Sequence, residues 1–408
     1  MGLRFWRKGP SGNGSGSRRL GRTVKVLGLV SFFTDASSEM IYPLLPAFLT
    51  ALGAGAISIG FIEGVAEGTA SVLKGFSGYI SDRMSGRKGI ILAGYGLSAV
   101  AKPFFAGAQA AWQVLLIRFA DRVGKGIRTA PRDAMIADTT EPCIRGKAYG
   151  FHRAMDTLGA VVGPGCAFLL MWMLKNRGIS AYRWVFLAAF VPGVFAVALI
   201  VLALKERGHR AEKRFPGVRL AGFSRYFKLL LLVILVFTLG NSSDAFLLLR
   251  AHDLGMKPYL IPLLWLSFNV VYSATATPGG MLSDRVGRRK TLLAGFFIYG
   301  LVYLGFAFAG GLTYLWLLMC AYGVFYGLTH GVMRAYVADL APGEIQGTAF
   351  GVFHMVDGIG RLLASVVFGL FYQLIGSAAA FCFGAAMAAL AALLLMGTGR
   401  RDIRAAGW

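Results

Sequence analysis

The stretch GYISDRMSGRK, Gly78 to Lys88, returns as GMLSDRVGRRK, Gly280 to Lys290, in a chain of 408 residues. Asp82 and Asp284 stand 202 positions apart, and three further pairs recur near that spacing: Glu39 with Asp244 at 205, Arg132 with Arg334 at 202, and Asp156 with Asp357 at 201. Four matches in one order predict a duplicated chain, each half built to the same plan.

Composition says what kind of half it is. Hydrophobic residues make up 56% of the chain and charged residues only 15%, well below the roughly 25% charged share of soluble domains. Apolar stretches of about 20 to 28 residues recur along its length, each long enough to cross about 30 Å of hydrocarbon as a helix. About twelve such stretches predict an all-α integral membrane protein of about 12 transmembrane helices, six per half. The expected division is a basic tail at 1–22, a six-helix bundle at 23–204, a linker at 205–228, a second bundle at 229–399 and a tail at 400–408.

The net charge of +23 raises the question of a nucleic-acid partner, and the placement of the basic residues answers it. With both termini in the cytoplasm, the inner segments hold 27 Lys plus Arg and the outer loops only Lys175, Arg177, Arg183, Arg250 and Lys257. That is the positive-inside bias, so the basic residues orient the chain in a cytoplasmic membrane, and the partner is a lipid bilayer. The tail at 1–22 reads as a flexible segment rather than a signal peptide, because the apolar run after it is long and carries Asp35 and Glu39. The four cysteines, Cys143, Cys166, Cys320 and Cys382, are single and far apart, which suits neither a disulfide framework nor a metal motif.

The repeated G-x-x-[SA]-D-R-x-G-R-[KR] loop, RFADRVGKG at Arg118–Gly126 and GAVVGPG at Gly159–Gly165 resemble the three signature motifs of the major facilitator superfamily. The resemblance covers essentially everything after residue 22. It implies two six-helix bundles that rock about a central cavity, moving a small molecule by alternating access. In that light Asp82, Arg83, Arg87 and Lys88, with Asp284, Arg285, Arg288 and Arg289, form a conformational latch; on charge alone they are equally positive-inside anchors. The first copy departs from the pattern in carrying Ser85 as an extra residue, so its loop is expected to close differently.

Ten basic residues lie inside the spans, where a charge costs at least about 2.5 kcal/mol and marks a functional candidate. Arg118, Asp121, Arg122, Lys125, Arg128 and Arg132 fall in one stripe of the fourth span. Asp35 and Glu39 share a face of the first span, at depths matching Arg128, Lys125 and Arg122, and are expected to oppose the stripe. Either they only balance its charge, or they exchange a proton as their surroundings alternate between dry and cationic. Asp244 is the second half's candidate for that role, beside Asn241, and Glu67, in the same network as Lys74, is a further proton-coupling candidate. Glu63 is read as a residue near the outer surface. Gly60, Gly64 and Gly68 line a packing face of the second span.

At positions 202 beyond the stripe stand Cys320, Gly323, Val324, His330 and Arg334, so the second half keeps little of it. Tyr272, Tyr322, Tyr326 and Tyr336 suggest that this half contacts the solute. Arg132 and Arg334 either clasp an anion or gate the mouth by pairing with Asp156 and Asp357. His152 and His354 either relay protons or cap helix ends. Without a nucleotide loop, a nucleophile arrangement or metal-ligand spacing, the chain reads as no enzyme, with no cofactor. The expected activity is proton-coupled export of a small anionic or zwitterionic solute by a monomer. Import of an anionic metabolite or metal chelate is the alternative, and a transporter-like sensor the remote one.

Overall fold

The protein was analysed as a computed structural model that describes residues 20–83, 86–141, 144–205, 223–341 and 346–397, with backbone only at 75, 78–83 and 346–348. The expected tails, the body of the linker, Cys143 and the side chains of Asp82 and Arg83 lie outside the described residues.

Every described element is helical. The first half runs α1 (Arg22–Ile41), α2 (Leu45–Ala51), α3 (Ala56–Arg83), α4 (Lys88–Gly107), α5 (Ala111–Asp138), α6 (Arg145–Met173) and α7 (Ile179–Ala203). The second runs α8 (Arg225–Gly240), α9 (Ala245–Asp253), α10 (Ile261–Val286), α11 (Arg288–Phe308), α12 (Leu312–Leu340), α13 (Gln346–Leu374) and α14 (Ser377–Gly397). Pairs α1/α2 and α8/α9 each make one broken span, so each half has six.

Ten of the twelve spans are long and apolar enough to cross a bilayer on their own. The first and fourth are the exceptions, and each has a physical cause. The first carries Lys25, Asp35 and Glu39 along α1, besides turning into a short 3-10 segment at Tyr42–Leu44, where Pro43 and Pro46 withhold backbone donors. The fourth, α5, carries the ionic stripe.

Close approach within each half depends on glycine. A Cβ on Gly94 of α4 would stand 2.7 Å from both the Arg128 Cβ and the Gly124 carbonyl oxygen of α5, so any side chain there would push the stripe helix away. The same contacts set the register between halves. Gly126 packs on Leu73, and Gly327 packs on Thr275. The spacing is therefore 202 before the loop and 201 after it, and Ser85 is the residue that accounts for the difference. One expectation is corrected by this. Arg334 occupies the position of Asp133, not Arg132, and the equivalent of Asp121 is Tyr322.

The halves meet along α3 and α13, where a Cβ on Gly64 would lie 2.9 Å from the Leu362 carbonyl oxygen. At the end opposite the basic loops, Ile57 N–H donates to Gln373 Oε1 at 3.0 Å, and Tyr42 packs on Trp265 with ring centroids 5.2 Å apart. Toward the basic loops, the last hydrogen bond joining described residues of the two halves is Arg153 to Tyr272.

Candidate functional site between the two halves

The stripe of α5 finds its counterions on α3 and within α5 itself rather than on α1. Arg118 donates from Nε and Nη2 to both oxygens of Glu63 at 2.9 Å, a two-pronged pair in which Arg118 is 3% and Glu63 2% exposed. Glu63 is thus the centre of the network, not a surface residue. Asp121 lies 3.7 Å from Arg118 and 3.6 Å from Arg122, and it accepts from Ser98. Arg122 reaches Glu67 at 3.4 Å. Arg128 lies over the ring of Tyr95 at 4.3 Å, its Nη1 buried without a hydrogen-bond partner. Arg132 pairs with its neighbour Asp133 at 2.9 Å and donates to Ser31 at 3.3 Å.

Asp35 and Glu39 do not close ion pairs with the stripe, contrary to expectation. Glu39 turns across the seam and accepts from Trp265 Nε1 at 2.6 Å. Asp35 stands in the electrostatic field of Asp156, Lys125, Arg128 and Arg132, yet among the described residues its side chain has no hydrogen-bond or ion-pair partner. The reason is packing: Gly159 and Gly163 of α6 seat against the Cβ atoms of Asp35 and Glu39, which fixes that face of α1 toward α6.

In the second half, Asp244 begins α9 where the chain has unwound after Gly240. It accepts from Tyr322 at 2.6 Å and from Tyr326 at 3.2 Å. Asn241 Oδ1 and Ser242 Oγ beside it are buried without partners. His330 contacts Arg334 at 2.9 Å. Asp156 lies 3.6 Å from His152, whereas Asp357 pairs with Arg361 at 3.0 Å and leaves His354 outside that pair. Neither Asp156 nor Asp357 closes on Arg132 or Arg334.

The latch residues divide alike in both copies. Arg87 pairs with Asp138, and Arg288 bridges Asp284 and Asp339, the latter at 3.2 Å. Lys88 and Arg289 each donate to carbonyl groups at the end of their half's last helix, Val201 and Leu395 respectively. Arg285 is in no pair among the described residues. Asp138 and Asp339 were missed in the sequence, although both close the shared AD dipeptide that ends α5 and α12.

Three more residues escaped the sequence reading. Trp265 and Arg361 are two. The third is Lys102, 1% exposed in α4, which donates to Ser37 Oγ at 2.7 Å while Ser37 donates onward to the Ala189 carbonyl. A lysine in an apolar span was signal enough.

Four cations converge where the halves face each other. Lys74 lies within electrostatic reach of Lys125 and Arg334, and Arg334 within reach of Arg153. Glu67, within reach of Lys74 and Lys125, and Asp357, within reach of Arg334, are committed to Arg122 and Arg361, whereas Asp35, within reach of Lys125, is not. Among the described residues no group of three His, Cys, Asp or Glu gathers to hold a metal.

This architecture and both loop copies coincide with the sequence profile of the Major Facilitator Superfamily, which matches residues 27–267 and 229–406. The chain belongs to that superfamily. It is a multi-pass membrane transporter. An uncharacterized MFS-type transporter of Methanocaldococcus jannaschii is 35% identical over 94% of this chain and 96% of its own. The multidrug resistance protein MdtH of Photorhabdus laumondii is 25% identical over 82% of each chain. Among solved structures, a POT family transporter in complex with 5-aminolevulinic acid shares the superfamily fold with a TM-score of 0.77 at 12% identity, covering 93% of this chain and 96% of that one.

Proposed function

We propose that this superfamily member exports a small organic anion or zwitterion from the cytoplasm in exchange for protons. The observation that carries the reading is the convergence of Lys74, Lys125, Arg153 and Arg334 from both halves on one seam, where Glu67 and Asp357 are paired elsewhere and Asp35 is the acid left within reach of Lys125. Four cations with one uncommitted carboxylate in reach leave a positive excess, which within the span of a bilayer calls for an anion. Export is supported by the similarity to MdtH, a multidrug resistance protein.

The two bodies that rock are 23–204 and 229–399, joined by 205–228, with the termini and basic loops in the cytoplasm and the protein acting as a monomer in the inner membrane. The bonds Glu39–Trp265 and Ile57–Gln373 tie the seam at the end opposite the basic loops, which supports reading the arrangement as inward-open. Protons enter the cycle at Asp35, Glu39 and Asp244, three carboxylates within the spans that form no ion pair with Lys or Arg among the described residues.

The test uses everted vesicles from cells expressing the protein, with respiration acidifying the lumen. Addition of an exported anion from a panel of carboxylates and organophosphates dissipates the pH gradient, and Arg334→Gln suppresses the response. Absence of any response across the panel overturns the proposal, and a response only when the gradient is reversed replaces export by import.

A further inference from the structure

Three rings of the second half pack on one another at the seam. Tyr272 meets Tyr326 edge to face, with centroids 5.6 Å apart at 73°. His330 stacks on Tyr326 at 6.0 Å and 19°, and lies 6.2 Å from Tyr272. They come from two helices, Tyr272 on α10 and Tyr326 with His330 one turn apart on α12, so each ring is held by a neighbour rather than by the lipid side of the bundle.

Two guanidinium groups rim this cup. Arg153, from the first half, donates to the Tyr272 hydroxyl at 2.5 Å and sits 5.8 Å from its ring centroid. Arg334 contacts His330 Nε2 at 2.9 Å. Both arginines are exposed although each lies well inside its helix, and neither has an acidic partner among the described residues. Tyr272, Tyr326 and His330 are half-buried.

We infer that Tyr272, Tyr326, His330, Arg153 and Arg334 form a subsite for a planar aromatic anion, the rings taking its aromatic body and the two arginines its carboxylate or phosphate. This rests on the reading of the protein as an anion transporter and narrows its substrate class. The chemistry is reciprocal. Aromatic faces and edges attract another ring at offset or perpendicular geometry, and guanidinium groups beside them bind an acid group and stack on the ring that carries it. An aliphatic acid of the same charge would satisfy the arginines and leave the cup unfilled.

Tyr326 gives the subsite its link to the rest of the molecule. Its ring forms the cup wall and its hydroxyl donates to Asp244, so a bound ring presses on the side chain that holds that carboxylate. Arg153 belongs to the other half, so the same ligand spans the seam.

The experiment is titration calorimetry of the full-length protein in detergent with 1-naphthoate, benzoate and cyclohexanecarboxylate, the last matching benzoate in charge and ring size. The expected result is benzoate binding about tenfold tighter than cyclohexanecarboxylate, and 1-naphthoate tighter still. Tyr272→Leu brings the affinity ratio of benzoate to cyclohexanecarboxylate toward one, while Arg153→Gln weakens all three. Equal affinity for benzoate and cyclohexanecarboxylate overturns the aromatic subsite and leaves the anion reading standing. Binding of none of the three, with binding of the cation benzyltrimethylammonium, overturns both.

Discussion

Trp265 Nε1 donates to Glu39 Oε2 at 2.6 Å across the seam between the two halves. The bond lies near the end where the halves are closed, and its two partners must separate when that end opens. A hydrogen bond to a charged group is worth about 1.5 to 3 kcal/mol. Trp265→Phe keeps a ring for Tyr42 and removes only the donor, so it is expected to raise the outward-open population about tenfold, the equivalent of about 1.4 kcal/mol. Spin labels at Ala51, the last residue of α2, and Lys257, just before α10, report the change by pulsed electron resonance. An unchanged distance distribution would show that the bond does not hold the outer end shut.

The Arg118–Glu63 pair calls for a different measurement. Removing one member of a buried ion pair strands the other, at a cost of about 3 to 5 kcal/mol, whereas removing both leaves little stranded charge. Glu63→Gln is therefore expected to lower the melting temperature in detergent sharply, and Arg118→Gln with Glu63→Gln together to cost less than the two single losses added. Simple additivity would mean that Asp121, 3.7 Å from Arg118, replaces Glu63 as its counterion.

The fold was legible because duplication and hydropathy are written along the chain, and because the basic residues cluster in alternate loops. The stripe of α5 was legible too, since charges at helical spacing in an apolar span have no other explanation. What faced the stripe was not. A single helix's periodicity says that Arg118 and Arg122 share a side, but whether that side meets α1 or α3 depends on which glycines let which helices approach, and Gly159 and Gly163 draw α1 toward α6 instead. Hence Glu39 was matched to Arg122, which Glu67 holds, and Asp35 to Arg128, which lies over Tyr95 instead. The equivalence of Arg132 and Arg334 failed for a smaller reason: the single residue Ser85 shifts the register, and one position on a helix turns a side chain by about 100°.

The latch pairs Arg87–Asp138 and Arg288–Asp339 join the start of one helix to the end of another within each half. Asp138 and Asp339 are 40% and 53% exposed, so each pair contributes about 1 kcal/mol or less to stability. Asp138→Asn and Asp339→Asn are accordingly expected to leave the melting temperature within a few degrees of the parent and to slow flux several-fold, because they act on helix positions that move. Flux at the parental rate in both variants would reduce these residues to orienting charges.

Proton coupling needs a carboxylate that no cation holds throughout the cycle. Glu67 fails that requirement, lying 3.4 Å from Arg122, whereas Asp244 is held by the neutral hydroxyls of Tyr322 and Tyr326 and Asp35 has no partner among the described residues. Asp35→Asn and Asp244→Asn are thus expected to cut pH-gradient-driven flux at least tenfold while substrate-induced thermal stabilisation persists, since an amide replaces the acid at equal size and cannot cycle a proton. Glu67→Gln is expected to do the reverse, lowering stability because Arg122 loses a counterion, with the flux that remains still sensitive to a protonophore. Full coupling in Asp35→Asn would remove Asp35 from the proton path, and uncoupling by Glu67→Gln at unchanged stability would place the proton within the ionic network of α3 and α5.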